Sequence, residues 1–147
     1  MKALSTTDIV QFLRRHPTFR GCFPLDRIPP LTHTPCSMVV NTDKSGEKGE
    51  HWVAVYMGDD CCCYFDSLGL PLLEEELHQF LGRYYKTATY NKTPIQHWSS
   101  VLCGYFCVLF VKCVDSVESF DSFVQQFNKS ELKQNDVLVR SLFTNKH

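Results

Sequence analysis

Residues 96–104 read Gln-His-Trp-Ser-Ser-Val-Leu-Cys-Gly and run straight into an apolar, helix-like stretch. A cysteine at the start of a helix is well placed for nucleophilic work. The positive end of the helix dipole favours the thiolate, and the thiolate is the attacking form of the group. Gln96, seven residues before Cys103, adds an amide donor of the kind that stabilises an oxyanion. Upstream stand a His51-Trp52 pair and the segment Tyr64-Phe65-Asp66-Ser67. These residue types together describe a cysteine hydrolase. Cys103 attacks an amide carbonyl, and His51 acts as its base and later as the acid that protonates the leaving amine. Asp66 holds the imidazole in the useful tautomer and stabilises its charged form. The Gln96 side chain and the Cys103 backbone N–H are the expected oxyanion donors, and losing one such donor costs about 10²–10³ in turnover.

Each residue taken alone has a plainer role. Cys103 could be an ordinary core thiol, His51 a surface residue at a strand start, Asp66 a turn former before Ser67-Leu68-Gly69, and Gln96 part of a loop. The joint pattern favours the catalytic reading, because each residue falls where one mechanism wants it. His97 is the alternative base, though its direction relative to Cys103 is not set by spacing. Trp52 either shields the site from water or covers the core. Cys107, one helical turn after Cys103, is expected to pack in the core, and Cys61, Cys62 and Cys63 read as small strand residues.

The elements that must position these groups follow from periodicity. Ser5-Thr6-Thr7-Asp8 predicts the cap of a short helix carrying Ile9, Val10, Phe12 and Leu13 and ending before Pro17. Residues 19–35, rich in proline, read as an extended surface segment; residues 36–42 read as a strand and 43–50 as a polar loop. Residues 51–57 and 61–65 alternate as strands do, with Gly58-Asp59-Asp60 between them. A two-residue II′ turn with Gly58 first would pair Met57 with Asp60 and His51 with Asp66. Directly opposed side chains have Cβ atoms about 4.5–5.5 Å apart, so this register would place imidazole beside carboxylate. A three-residue loop would shift that pairing by one. Helices are expected over residues 72–84, 104–114, 119–127 and 130–143, with the 104–114 helix buried on most sides. Ser130-Glu131-Leu132-Lys133 forms only a partial capping box. A further strand is expected over residues 87–92. The result is an α+β domain, a small and mostly antiparallel sheet with helices packed around it.

Composition sets the outer limits. The 147 residues fit a single domain, 1–147, and 44% hydrophobic with 13% aromatic content argues for a folded core. Fifteen basic against sixteen acidic side chains leave a formal charge of −1, which advertises no nucleic-acid partner. The longest apolar run, residues 101–111, is broken by Lys112 and falls short of the roughly 20 residues a membrane span needs. No membrane partner is therefore expected. Eight cysteines without a secretory signal read as reduced thiols in an intracellular setting. No Cys-x-x-Cys pair supports zinc, so a redox or zinc module is the weaker class, and no metal or cofactor is required by the residues.

The order His-Trp, then Phe-Asp-Ser-x-Gly, then Gln-x₆-Cys-Gly-x-x-Cys resembles the adenain family of adenovirus maturation proteases. It also resembles their relatives in viruses and large DNA transposons and, more distantly, the SUMO-specific proteases. Phe19-Arg20-Gly21-Cys22-Phe23-Pro24 and Val39-Val40-Asn41-Thr42 look like the adenain branch in particular. The resemblance covers roughly residues 19–114. It implies a papain-like cysteine protease core, with His51 as base, Asp66 as third triad member, Gln96 in the oxyanion hole and Cys103 as nucleophile. Adenain itself has Glu where Asp66 stands, whereas its wider relatives use Asp. The implied activity is cleavage of polypeptide precursors after a small residue such as Gly, in host nucleus, cytoplasm or virion. The alternatives are removal of a ubiquitin-like modifier and a catalytically silent protease fold kept for binding. The resemblance further implies activation by a disulfide-linked peptide and by DNA. This chain has no cysteine between Cys63 and Cys103, where the peptide's partner would be expected.

Overall fold

Strand positions alternate between two faces, and here both faces find a cover. The computed structural model describes residues 2–42, 51–70 and 75–144. Five strands, β1 (Phe19–Pro24), β2 (Cys36–Asn41), β3 (Trp52–Met57), β4 (Cys62–Phe65) and β5 (Thr89–Tyr90), lie side by side in chain order. The two central ladders, β2–β3 and β3–β4, are antiparallel, while the edge strands β1 and β5 join in parallel. β3 is buried along its whole length. Val39, Ala54, Tyr56, Cys63 and Phe65 face one core, and Met38, Val40, Val53, Val55, Met57, Cys62 and Tyr64 face the other.

The first core is closed by α1 (Thr6–Leu13), α3 (Cys103–Cys113), α4 (Val117–Gln125) and α5 (Leu132–Thr144). The second is closed by α2 (Glu75–Gly82) and a short 3₁₀ turn at Leu25–Arg27. α1 begins with a capping box in which Ser5 and Asp8 each bond the other's backbone N–H, as the sequence predicts. α4 starts with the same device built from Ser116 and Ser119. The start of α5 differs from expectation. Asn128, rather than Ser130, supplies the oxygen that accepts from the Ser130 and Glu131 N–H groups.

Three expectations need correction. Residues 19–35 are not merely extended surface. β1 pairs with β2 from Phe19 to Pro24, irregularly between Phe19 and Gly21, and Pro24 is tolerated because β1 is an edge. The strand expected over residues 87–92 shrinks to Thr89–Tyr90. The hairpin register is also different. Pairs such as Ala54–Phe65 and Met57–Cys62 displace β4 by two residues, so the turn centres on Asp59-Asp60 and the Gly58 N–H bonds the Cys61 carbonyl at 2.8 Å. A slip of two preserves each residue's face, whereas a slip of one would reverse it. Of the predicted polar loop and the helix over residues 72–84, residues 43–50 and 72–74 lie outside the described residues.

The helix that carries Cys103 is tied to β4, the strand that leads into Asp66, by aromatic packing. Phe65 and Phe110 stack with ring centroids 5.2 Å apart and planes 4° apart, and Phe120 and Phe123 meet both rings edge-on. Phe110 is fully buried. Phe110→Ala should therefore lower unfolding free energy by about 3–5 kcal/mol in urea titration. A loss below about 1 kcal/mol would show that α3 and β4 are held by something else.

Candidate active site

His51 enters the site from the start of β3. Its carbonyl accepts from the Thr42 N–H at 3.0 Å, which continues the β2–β3 ladder by one residue and fixes the backbone there. Asp66 leaves the end of β4. With the observed register, His51 and Asp66 are diagonal rather than directly opposed, a separation that long side chains still bridge. The His51 Nε2 lies 2.7 Å from Asp66 Oδ1. The expected contact is present, reached by a different register.

Cys103 is the first residue of α3, and its side chain is hydrogen-bonded to His51. Burial alone would push the His51 imidazole down. The hydrogen bonds from Asp66 and Cys103, with the charges of both, outweigh burial and raise it to about 10. The imidazole is thus charged through the neutral range. By contrast, burial raises the thiols of Cys22, Cys62 and Cys63 to about 12 and pushes Cys36, Cys107 and Cys113 upward. None of the eight cysteines is bridged to another, and Cys107 is fully buried in the core as expected.

Asp66 is held from several sides. Its Oδ1 also accepts the Leu68 N–H at 2.9 Å. The buried Asn91 clamps its backbone, accepting the Asp66 N–H at 3.1 Å and donating to the Asp66 carbonyl at 2.6 Å. The turn from Asp66 to Gly69 closes with a 2.8 Å bond from the Gly69 N–H to the Asp66 carbonyl. Gly69 has φ +70°, and an added Cβ there would lie 2.4 Å from the Pro94 nitrogen. Only glycine permits this close approach of two backbones.

That approach brings in Gln96. Both the Ile95 and Gln96 N–H groups donate to the Ser67 carbonyl, at 2.9 and 3.0 Å. The Gln96 side chain is buried, with its Oε1 taking a hydrogen bond from the Ser67 hydroxyl and its Nε2 donating to the Ser100 carbonyl at 2.9 Å. Asn135, buried on α5, donates to the Ile95 carbonyl at 2.8 Å and so braces the same segment from outside. Gln96 is therefore joined to the acid turn through Ser67 and to the Cys103 loop through Ser100.

The remaining sequence candidates resolve as follows. His97 Nδ1 pairs with the Ser99 hydroxyl at 2.7 Å inside its own turn, while His51 holds the place beside Cys103. Trp52 is a core residue. Its indole N–H donates to the Leu4 carbonyl at 3.1 Å, and its ring passes Gly104 so closely that a Cβ there would sit 3.3 Å from it. Ser67, Asn91 and Asn135 were not among the candidates. The Phe-Asp-Ser-x-Gly run places Ser67 in a turn, but nothing local marks either asparagine as buried.

No family model matches the chain, and no curated protein matches its sequence. Its three-dimensional shape does find a counterpart. The crystal structure of the ASFV pS273R protease superimposes with a TM-score of 0.54 at 21% identity, covering 91% of this chain and 65% of that one. The two share a fold. A second crystal structure, of the Se-Met form of the same protease, gives 0.48 at 18% identity, covering 91% and 66%. The chain thus spans about 65% of the length of the protease it matches. The fold is α+β, and the likeness does not single out adenain. Among the described residues no helix is long and apolar enough to cross a membrane.

The raised His51 makes a definite statement about stability. Between about pH 6.5, where an unfolded histidine loses its proton, and about 10, His51 holds in the folded chain a proton that it has lost in the unfolded chain. Stability from this contact is complete below pH 6.5 and is lost as pH rises toward 10. In a Cys103→Ser background, where no thiolate offsets the proton on His51, the Tm advantage over the Cys103→Ser/His51→Gln double variant should shrink steadily across that interval in thermal melts. A constant difference would contradict a charged imidazole in the folded state.

Proposed function

We propose that the chain is a cysteine endopeptidase acting through Cys103, His51 and Asp66, with Gln96 and the Cys103 backbone N–H as oxyanion donors. The observation that carries this reading is the position of one imidazole, hydrogen-bonded at the same time to a buried carboxylate and to the sulfur at a helix N-terminus. An imidazolium beside a sulfur favours the thiolate, which is the reactive form. The helix dipole acts in the same direction, and no acidic residue in the first turn of α3 opposes it.

In the proposed reaction the Cys103 sulfur attacks a peptide carbonyl carbon, and the carbonyl oxygen takes up the negative charge. A carboxamide has two N–H groups. One on Gln96 is used by Ser100, and the other is the donor offered to that oxygen. His51 passes its proton to the leaving amine as the carbon–nitrogen bond breaks, leaving an acyl-thioester. The now neutral imidazole takes a proton from water, whose oxygen attacks the thioester and returns the sulfur as a thiolate. Asp66 keeps the ring oriented and supports its charge in both steps.

The substrate we propose is an extended polypeptide cleaved after a small residue such as glycine, a precursor protein of the virion-maturation kind. The loop between Gln96 and Cys103 carries Trp98 and Val101 with 83% and 51% of their surfaces exposed, which offers apolar contact beside the reacting atoms. His51, Asp66 and Cys103 come together through elements of this chain alone, so we propose turnover without an added peptide or DNA.

Thiol labelling tests the reading without knowledge of the substrate. Iodoacetamide at pH 6 should modify Cys103 at least about tenfold faster than the other cysteines, as read by peptide mass mapping. His51→Ala should abolish that preference, and Cys103→Ala should remove all hydrolysis of a fluorogenic Gly-Gly peptide amide. Equal labelling of Cys103 and Cys61 would overturn the assignment. Cleavage of modifier conjugates without cleavage of precursor proteins would redirect it to deconjugation.

A further inference from the structure

We propose that Ser67 is a positioning residue that locks the Gln96 carboxamide with its nitrogen, and not its oxygen, available to the reacting carbonyl. This rests on the peptidase reading above and identifies what makes its oxyanion donor a donor. A glutamine side chain is nearly symmetric in shape, and a half-turn about its last bond exchanges an acceptor for two donors. An oxyanion site fails if the oxygen faces inward, because two negative oxygens would then meet.

Two neighbours remove that ambiguity. On one side stands the Ser100 carbonyl, which can only accept, so the atom facing it at 2.9 Å must be Nε2. On the other side stands the Ser67 hydroxyl, which donates to Oε1. Ser67 is fully buried and Gln96 nearly so, and no solvent competes for these bonds. With both partners in place, one N–H remains, and it is always an N–H. Without the Ser67 hydroxyl, Oε1 becomes a buried acceptor lacking its donor, and only the Ser100 carbonyl is left to oppose rotation of the amide.

The backbone makes Ser67 a rigid anchor. Its carbonyl accepts from both the Ile95 and the Gln96 N–H, at 2.9 and 3.0 Å, so the main chain and the side chain of Gln96 are held by the same residue. Gly69 allows the turn to press directly on Thr93 and Pro94. One four-residue turn therefore serves both halves of the site. Asp66 aims at the imidazole, and Ser67 aims at the amide.

The test separates oxyanion positioning from general structure. Hydrolysis of a fluorogenic Gly-Gly peptide amide and iodoacetamide alkylation of Cys103 are measured for native protein, Ser67→Ala, Gln96→Ala and the double variant. Alkylation forms no oxyanion. Ser67→Ala should lower kcat by about 10–100-fold, with KM changed less than about twofold and the Cys103 alkylation rate unchanged. In the Gln96→Ala background the same substitution should cost nothing further. Independent, multiplicative losses, or slower alkylation in Ser67→Ala, would overturn the proposal. Should native protein cleave no peptide amide, the peptidase reading falls. Hydrogen exchange of the Gln96 side-chain amide protons then decides the positioning separately. Slow exchange in native protein that becomes fast in Ser67→Ala supports the lock, and fast exchange in native protein refutes it. If Ser67→Ala does not fold, Ser67→Cys, whose S–H is a weaker donor, takes its place, and exchange no faster than in native protein refutes the lock.

Discussion

Everything at this site depends on an imidazole held between a carboxylate and a sulfur. Removed from water, a histidine would sooner be neutral. Two hydrogen-bonded partners capable of negative charge reverse that preference and keep His51 protonated well above neutrality. The geometry of the fold can be understood as what is needed to keep those three groups in contact. β3 delivers the histidine, β4 delivers the aspartate, and α3 delivers the cysteine at its positive end. The stacked Phe65–Phe110 pair then fixes α3 against β4 only one residue before Asp66.

A second layer of buried polar groups holds the loops, where secondary structure no longer does. Asn91 braces Asp66, Ser67 joins the acid turn to Gln96, and Asn135 reaches in from α5 to the residue before Gln96. Each is buried and satisfied, as polar groups away from water must be. This layer couples the parts of the site to helices far along the chain. Helix α5 therefore contributes to the site through Asn135, although His51, Asp66 and Cys103 all lie elsewhere.

The sequence was most legible where one residue type has one physical use. Ser5 and Asp8 announce a capping box, the alternation around Val53 and Val55 announces a strand, and Cys103-Gly104 before an apolar run announces a helix start. The His51–Asp66 contact was legible for a partly mistaken reason. Glycine-first turn chemistry centres the turn on Gly58-Asp59, whereas it falls on Asp59-Asp60, and a slip of two residues keeps the side chains on compatible faces. Edge strand β1 was hidden because its partner β2 is joined in parallel across a crossover, and its proline reads locally as a strand breaker. Asn91 and Asn135 were hidden for a different reason. A buried asparagine differs from a surface one only in its tertiary partners, and no local pattern records those.

The central claim is electrostatic, so it is best tested by observing the ring itself. Protein labelled with ¹⁵N at histidine can be titrated by NMR, with His51→Gln used to assign the signal. The account predicts that His51 shows the two equivalent nitrogen shifts of an imidazolium from pH 6 to beyond pH 8, losing its proton near 10. A ring that titrates near the ordinary histidine value of about 6.5 would contradict it.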